Sequence, residues 1–139
     1  MIKTAIIGAS GYTGLELVKL ISNHPQASLE AVTSNTYQGK SFTDIFPSMH
    51  GFESLVCIPF DAGVLAGKAD VVFLALPHKV SMAFAPQLID QGIKVIDLSA
   101  DFRFDDAKAY ETVYQPHTAT NLLEESVYGL CELNRDHIK

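Results

Sequence analysis

The chain has 139 residues, 47% hydrophobic and 19% charged, the composition of one globular domain long enough to bury a core without disulfides or metal. No apolar run approaches the roughly 20 residues that cross a bilayer, and no basic start leads into an apolar signal core, so a cytoplasmic protein without membrane contact is expected. A net charge of -6 with ten scattered basic residues argues against nucleic acid, and two distant cysteines with no histidine at zinc-ligand spacing argue against a structural metal.

Thr4 to Gly8, "TAIIG", is a short Ile-rich run that fits a strand buried on both faces. Gly8, Gly11 and Gly14 follow at a spacing of three, and Leu15, Val18 and Ile21 then recur at helical spacing up to a stop at Asn23 to Pro25. Ser28 to Ser34 reads as a second strand, and Asn35 to Phe52 as a long surface excursion without a sustained period. Leu55 to Phe60 is a third short strand, and Asp70 to Pro77 a fourth, apolar throughout. Lys79 to Gly92 is expected to be a helix despite Pro86, closed by Gly92, and Lys94 to Ser99 the fifth strand. Beyond Ser99 there are aromatic residues and short helical pieces but no clear strand, which predicts an extension packing on the sheet or on a further domain. Uniformly apolar strands alternating with helices predict an α/β fold, a doubly wound parallel sheet of the Rossmann type, as one domain over residues 1–139.

A glycine turn between strand and helix lets the backbone approach a pyrophosphate, and the free N–H groups at the helix start favour its charge. The spacing here is G-x-x-G-x-x-G rather than G-x-G-x-x-G, and the alternative is a turn that serves only helix-on-strand packing. Cofactor contacts are expected from Gly8, Ser10, Gly11, Tyr12, Thr13 and Gly14, with the hydroxyls of Ser10 and Thr13 able to reach phosphate oxygens. An NAD site would carry Asp or Glu at the end of the second strand, but no acid appears between Glu30 and Asp44. Ser34 and Asn35, with nearby Lys40, offer donors for a 2'-phosphate instead, so NADP is expected; the alternative is that Ser34 and Asn35 merely end the strand.

Ligands of open parallel sheets sit at the carboxyl ends of strands, which adds Ala75 and Pro77 after the fourth strand and Ser99 after the fifth. His78 reads as a loop or phosphate-side residue rather than a catalytic base. Arg103 is either a surface ion-pair partner of Asp101 or an anion-binding residue facing substrate. Cys57 is expected in the core, Cys131 as a buried or half-buried thiol, and most of the five histidines in loops or exposed.

"IIGASGYTGLELVKLI", "VVFLALPHKVS", "VIDLSADFRF" and "VYGLCELNR" occur in the order found in N-acetyl-gamma-glutamyl-phosphate reductases, relatives of aspartate-semialdehyde dehydrogenase, and the resemblance covers essentially the whole chain. "GASGYTG" is shared across the superfamily, whereas "DLSADFR" and "YGL-x-ELNR" are more specific. The resemblance implies NADPH-dependent reduction of a small acyl-phosphate substrate to an aldehyde with release of phosphate, by a homo-oligomer when full length. It also implies a nucleophilic cysteine in an Asn-Pro-Gly-Cys-Tyr-Pro-Thr segment beyond "YGL-x-ELNR", and a catalytic histidine in a second domain. Cys131 stands where the family commonly has proline, so no catalytic residue is expected in these 139 residues, and the isolated chain is expected to bind cofactor without turnover and to expose apolar surface after Ser99. Aminoadipyl or aspartyl phosphate as substrate, or a non-catalytic NADP-binding module, are the alternatives.

Overall fold

A computed structural model describes residues 1–138. Five parallel strands form one sheet: β1 (Ile2–Ile7), β2 (Ala27–Thr33), β3 (Cys57–Ile58), β4 (Val71–Leu74) and β5 (Lys94–Asp97), in the order β3-β2-β1-β4-β5. The central strand β1 pairs with β2 on one side and β4 on the other, so the chain winds outward through β2 and β3, then returns to the other side of β1. That reversal opens a crevice at the carboxyl ends of β1 and β4.

Side chains alternate across the sheet, and β1 divides its apolar residues between two cores. Ala5 and Ile7 pack with Leu65, Val72, Leu74, Ala85 and Leu88, under α3 (Ala62–Ala66) and α4 (Ser81–Ile89). Ile6 packs on the opposite face with Val18 and Ile21 of α1 (Tyr12–Ser22) and Phe42 of α2 (Phe42–Ile45). The sheet is therefore doubly wound, as the uniformly apolar strands predict. Thr4 is the polar exception inside β1, and its hydroxyl donates to the Ser28 carbonyl at 2.8 Å, beside a register shift between Thr4 and Ala5. Gly92 closes α4 with φ +76, and the Ile93 N–H reaches back to the Leu88 carbonyl at 3.1 Å.

Several elements depart from the expectations. The segment Asn35 to Phe52 is not wholly a surface excursion: Phe42 is fully buried, Met49 is buried, and Ser41 caps α2 by accepting from the Thr43 N–H. The third strand is only two residues long, and α3 follows it, capped by Asp61 through the Val64 N–H at 2.9 Å. The fifth strand stops at Asp97, whose carboxylate turns back to accept the Ser99 N–H at 3.0 Å and the Ser99 hydroxyl at 2.6 Å.

Beyond β5 the chain forms α5 (Ala107–Val113), a single 3₁₀ turn at Thr120–Leu122 and α6 (Cys131–Asn134). Met82 of α4, Tyr110 of α5 and Ala119 build a third small core that docks this extension on α4. After Ser126, by contrast, Val127, Tyr128, Leu130 and Leu133 are exposed. Cys57 lies in the core, where burial pushes its thiol pKa up, but Cys131 is exposed at the start of α6, contrary to the expectation of a buried thiol. No residue of its four-residue helix is buried.

Candidate functional site

A cleft of about 540 Å³ opens at the reversal point, in the range of small-molecule sites. Gly8, Ser10, Gly11, Tyr12 and Thr13 line one side, Ser34 and Asn35 the end of β2, and Ala75 and Pro77 the end of β4. Gly14, Ser99 and Arg103 do not line it. Ile7, Thr33, Thr36, Leu76, Leu98, Phe60 and Phe84 complete the lining, Leu76 and Leu98 from the loops expected to reach it after the fourth and fifth strands. Phe60 lies two residues beyond β3 and meets Phe84 of α4 edge to face, with centroids 4.7 Å apart. The position of Phe60 after a strand was the available signal; that of Phe84 on a helix gave none.

The three glycines hold different places for different reasons. Gly8 has φ +84, and a Cβ there would stand 2.4 Å from the Ala75 carbonyl oxygen, so it is required where β1 and β4 end side by side. Gly14 lets α1 press on the turn, since its Cβ would lie 2.5 Å from the Ala9 Cα. Gly11 has neither reason: its φ is -85, and a Cβ would find only the Gly8 oxygen, at 3.7 Å. That Cβ would instead take up space at the cleft wall.

Gly11 is also the N-cap of α1, with no side chain capping the helix and no acid in its first turn. Among the described residues no acceptor meets the N–H groups of Tyr12, Thr13 and Gly14. They and the helix dipole present positive potential to the cleft, whose lining carries no charged side chain. A pyrophosphate fits such a cradle: it needs close backbone approach and N–H donors rather than a counter-charge.

At the end of β2, the Ser34 hydroxyl is committed within the chain. It lies 2.9 Å from the Ser10 hydroxyl and accepts the Tyr37 N–H at 3.2 Å. Asn35 and Thr36 are exposed beside it, whereas Lys40 lies outside the lining with its ammonium 5.9 Å from the Tyr37 ring centroid.

The loops after β4 and β5 are fastened together. Asp101 is fully buried, and its carboxylate accepts the N–H groups of Lys79 at 2.7 Å and Met82 at 3.1 Å and the Tyr110 hydroxyl at 2.9 Å. Burial and this bond to Asp101 push the Tyr110 pKa far above its ordinary value of 10.0. His78 is exposed, and its Nδ1 accepts the Ala100 N–H at 2.9 Å, so it serves as a loop residue. His117, by contrast, is buried; its Nδ1 accepts from Ala119, which leaves Nε2–H to donate to the Asp101 carbonyl at 2.8 Å. Ser99, expected near the cofactor, spends its hydroxyl on Asp97 and on the Asp101 N–H. The ion pair between Arg103 and Asp101 does not form, because Asp101 points inward; Arg103 is exposed, and the ion pair found among the described residues is Lys19 with Glu16.

Residues 3–139 match the family model of the semialdehyde dehydrogenase NAD-binding domain. The chain belongs to this family. It is 59% identical over 138 residues to an N-acetyl-gamma-glutamyl-phosphate reductase of Desulforapulum autotrophicum, covering 99% of this chain and 40% of that protein. A reductase of the same name from Desulfotalea psychrophila is 51% identical over the same shares. The chain thus spans 40% of the length of these curated relatives. Among solved structures, the aspartate semialdehyde dehydrogenase of Candida albicans with NADP superposes with a TM-score of 0.61 at 23% identity, over 74% of this chain and 31% of the other. That of Vibrio cholerae gives 0.60 at 20% identity, over 76% and 30%. These last likenesses establish the fold. As an NAD(P)-binding domain of the semialdehyde dehydrogenase family, the chain keeps the motifs that resemble the N-acetyl-gamma-glutamyl-phosphate reductases from end to end.

Proposed function

We infer that this chain is the cofactor-binding domain of an NADPH-dependent N-acetyl-gamma-glutamyl-phosphate reductase, which converts that acyl phosphate to N-acetylglutamate semialdehyde with release of phosphate. The names of the relatives support the reaction. The observation that carries the cofactor role is Gly11, whose missing side chain neither backbone conformation nor packing requires.

The cofactor supplies hydride when bound. The chain's own part is to hold it: the N–H groups at the α1 start would receive the pyrophosphate, and Phe60 with Phe84 would provide an apolar wall that limits water. No carboxylate lines the cleft to accept from a free ribose 2'-hydroxyl, while Asn35 and Thr36 stand exposed at the end of β2, which favours NADP. Arg103, exposed and free of Asp101 on the loop after β5, is the group proposed to face the substrate phosphate. Neither cysteine lines the cleft, so the 139-residue chain is expected to bind without turnover.

Calorimetric titration of the chain with NADPH and NADH tests this reading. NADPH should bind about tenfold tighter than NADH or better, the worth of one charge-assisted hydrogen bond to the 2'-phosphate. Gly11→Ala should lower the thermal midpoint by only a few degrees, the cost of Ala in place of Gly at an N-cap, and weaken both nucleotides. Absence of binding to either nucleotide, or full binding by Gly11→Ala, would overturn the assignment.

A further inference from the structure

The two serines at the cleft wall come from different elements, Ser10 from the glycine turn and Ser34 from the end of β2, and their hydroxyl oxygens are 2.9 Å apart. Ser34 is 4% exposed, and its oxygen already accepts the Tyr37 N–H. A hydroxyl has one hydrogen to give, and either serine can give it to the other. If Ser10 donates, the buried Ser34 hydrogen is left with no acceptor among the described residues, an unfavourable arrangement. If Ser34 donates, every bond runs one way: Tyr37 N–H to Ser34, Ser34 to Ser10, and the Ser10 hydrogen is released toward the cleft.

We propose that Ser34 is a positioning residue that acts through Ser10 on the anionic group held at the start of α1, and that it is not a ligand of the 2'-phosphate. This rests on the reading of the cleft as a nucleotide site. A chain of bonds aligned toward an anion polarises each member in turn, so the Ser10 hydroxyl becomes a better donor than an isolated serine. The backbone reinforces the same junction, because the N–H groups of Gly8 and Ala9 both donate to the Thr33 carbonyl, at 3.2 and 3.0 Å. The end of β2 thereby fixes the turn that meets the pyrophosphate, a part common to both nicotinamide nucleotides.

The test is a double-mutant cycle on the 139-residue chain, with NADPH and NADH titrated separately into the wild type, Ser10→Ala, Ser34→Ala and the double variant. Loss of one such bond should weaken binding about threefold to tenfold. The proposal expects Ser34→Ala to weaken NADPH and NADH by the same factor, and the double variant to bind as Ser10→Ala does. Ser34→Thr, which keeps the hydroxyl, should restore binding, and it carries the test together with Ser10→Ala if Ser34→Ala does not fold. A Ser34→Ala loss confined to NADPH, additive single effects, or a Ser34→Thr chain that folds without regaining affinity overturns the proposal while leaving the site assignment intact. A wild-type chain that binds neither nucleotide overturns both.

Discussion

The junctions β1–α1 and β4–α4 lie side by side in the sheet, each a parallel strand turning into a helix at the same edge, yet they solve the helix start in opposite ways. At the first, Gly11 caps α1 without a side chain, and the leading N–H groups face the cleft unmet. At the second, a carboxylate from the chain itself occupies the corresponding place: Asp101 reaches in from beyond β5 and accepts from Lys79 and Met82 at the start of α4. Every helix start attracts an anion, so a second pocket would compete with the first unless it were filled from within. The internal carboxylate also holds Lys79 at φ 74, a conformation unusual for a residue with a side chain, and so fixes the loop that carries Pro77 along the cleft.

The contrast can be broken from either side. The largest effect is expected from Gly14→Ala in the first junction, where the new Cβ would meet backbone atoms of Ala9 at 2.5 to 2.7 Å. Backbone cannot swing aside as a side chain can, so urea unfolding should register a loss of about 3 kcal/mol, the upper end for an overpacked core. A variant as stable as the wild type would show that helix and turn are not locked together.

Asp101→Ala empties the second junction. Two N–H groups and the Tyr110 hydroxyl would lose their shared acceptor in a buried site. A loss of about 2 to 3 kcal/mol in the same assay is expected, since solvent reaches only part of the gap. A change under about 0.5 kcal/mol, the range of an ordinary surface substitution, would mean that the carboxylate does not organise this junction.

The smallest expected effect is Tyr110→Phe, which removes one of the three donors to Asp101 and should cost about 1 to 2 kcal/mol at neutral pH. Burial and Asp101 raise the pKa of Tyr110 in the folded state above the ordinary 10.0 of the unfolded chain. The neutral hydroxyl therefore stabilises the fold fully below pH 10 and progressively less as pH rises beyond it. Urea midpoints followed through that range should fall more steeply for the wild type than for Tyr110→Phe; parallel slopes would refute the buried hydroxyl.

These junctions also mark what sequence reading reaches. The first was legible because its signal is local: an apolar run, a glycine turn and helical spacing all fall within Thr4 to Ile21. The second was not, because Asp101 is 22 residues from Lys79, and nothing in "DLSADFR" shows that its acid points inward while Arg103 stays outside. The same limit hid His117, whose partner is the Asp101 carbonyl, and the burial of Phe42 and Met49 inside a stretch without periodicity. Periodicity reports which face of an element is apolar; burial of a polar group depends on partners that the fold brings from elsewhere. At the site, the glycine turn and the ends of β2 and β4 were readable from strand order, but the bond that ties Ser34 to Ser10 needed the two loops placed side by side.

The central position of β1 has a kinetic consequence. Flanked on both sides by long pairings and buried on both faces, its amides should be among the last to exchange with solvent, whereas the two-residue β3 and the outer edge of β5 exchange early. The turn that opens to the cleft thus grows directly from a strand expected to exchange slowly, so the floor of the cleft should stay closed under local opening at the sheet edges.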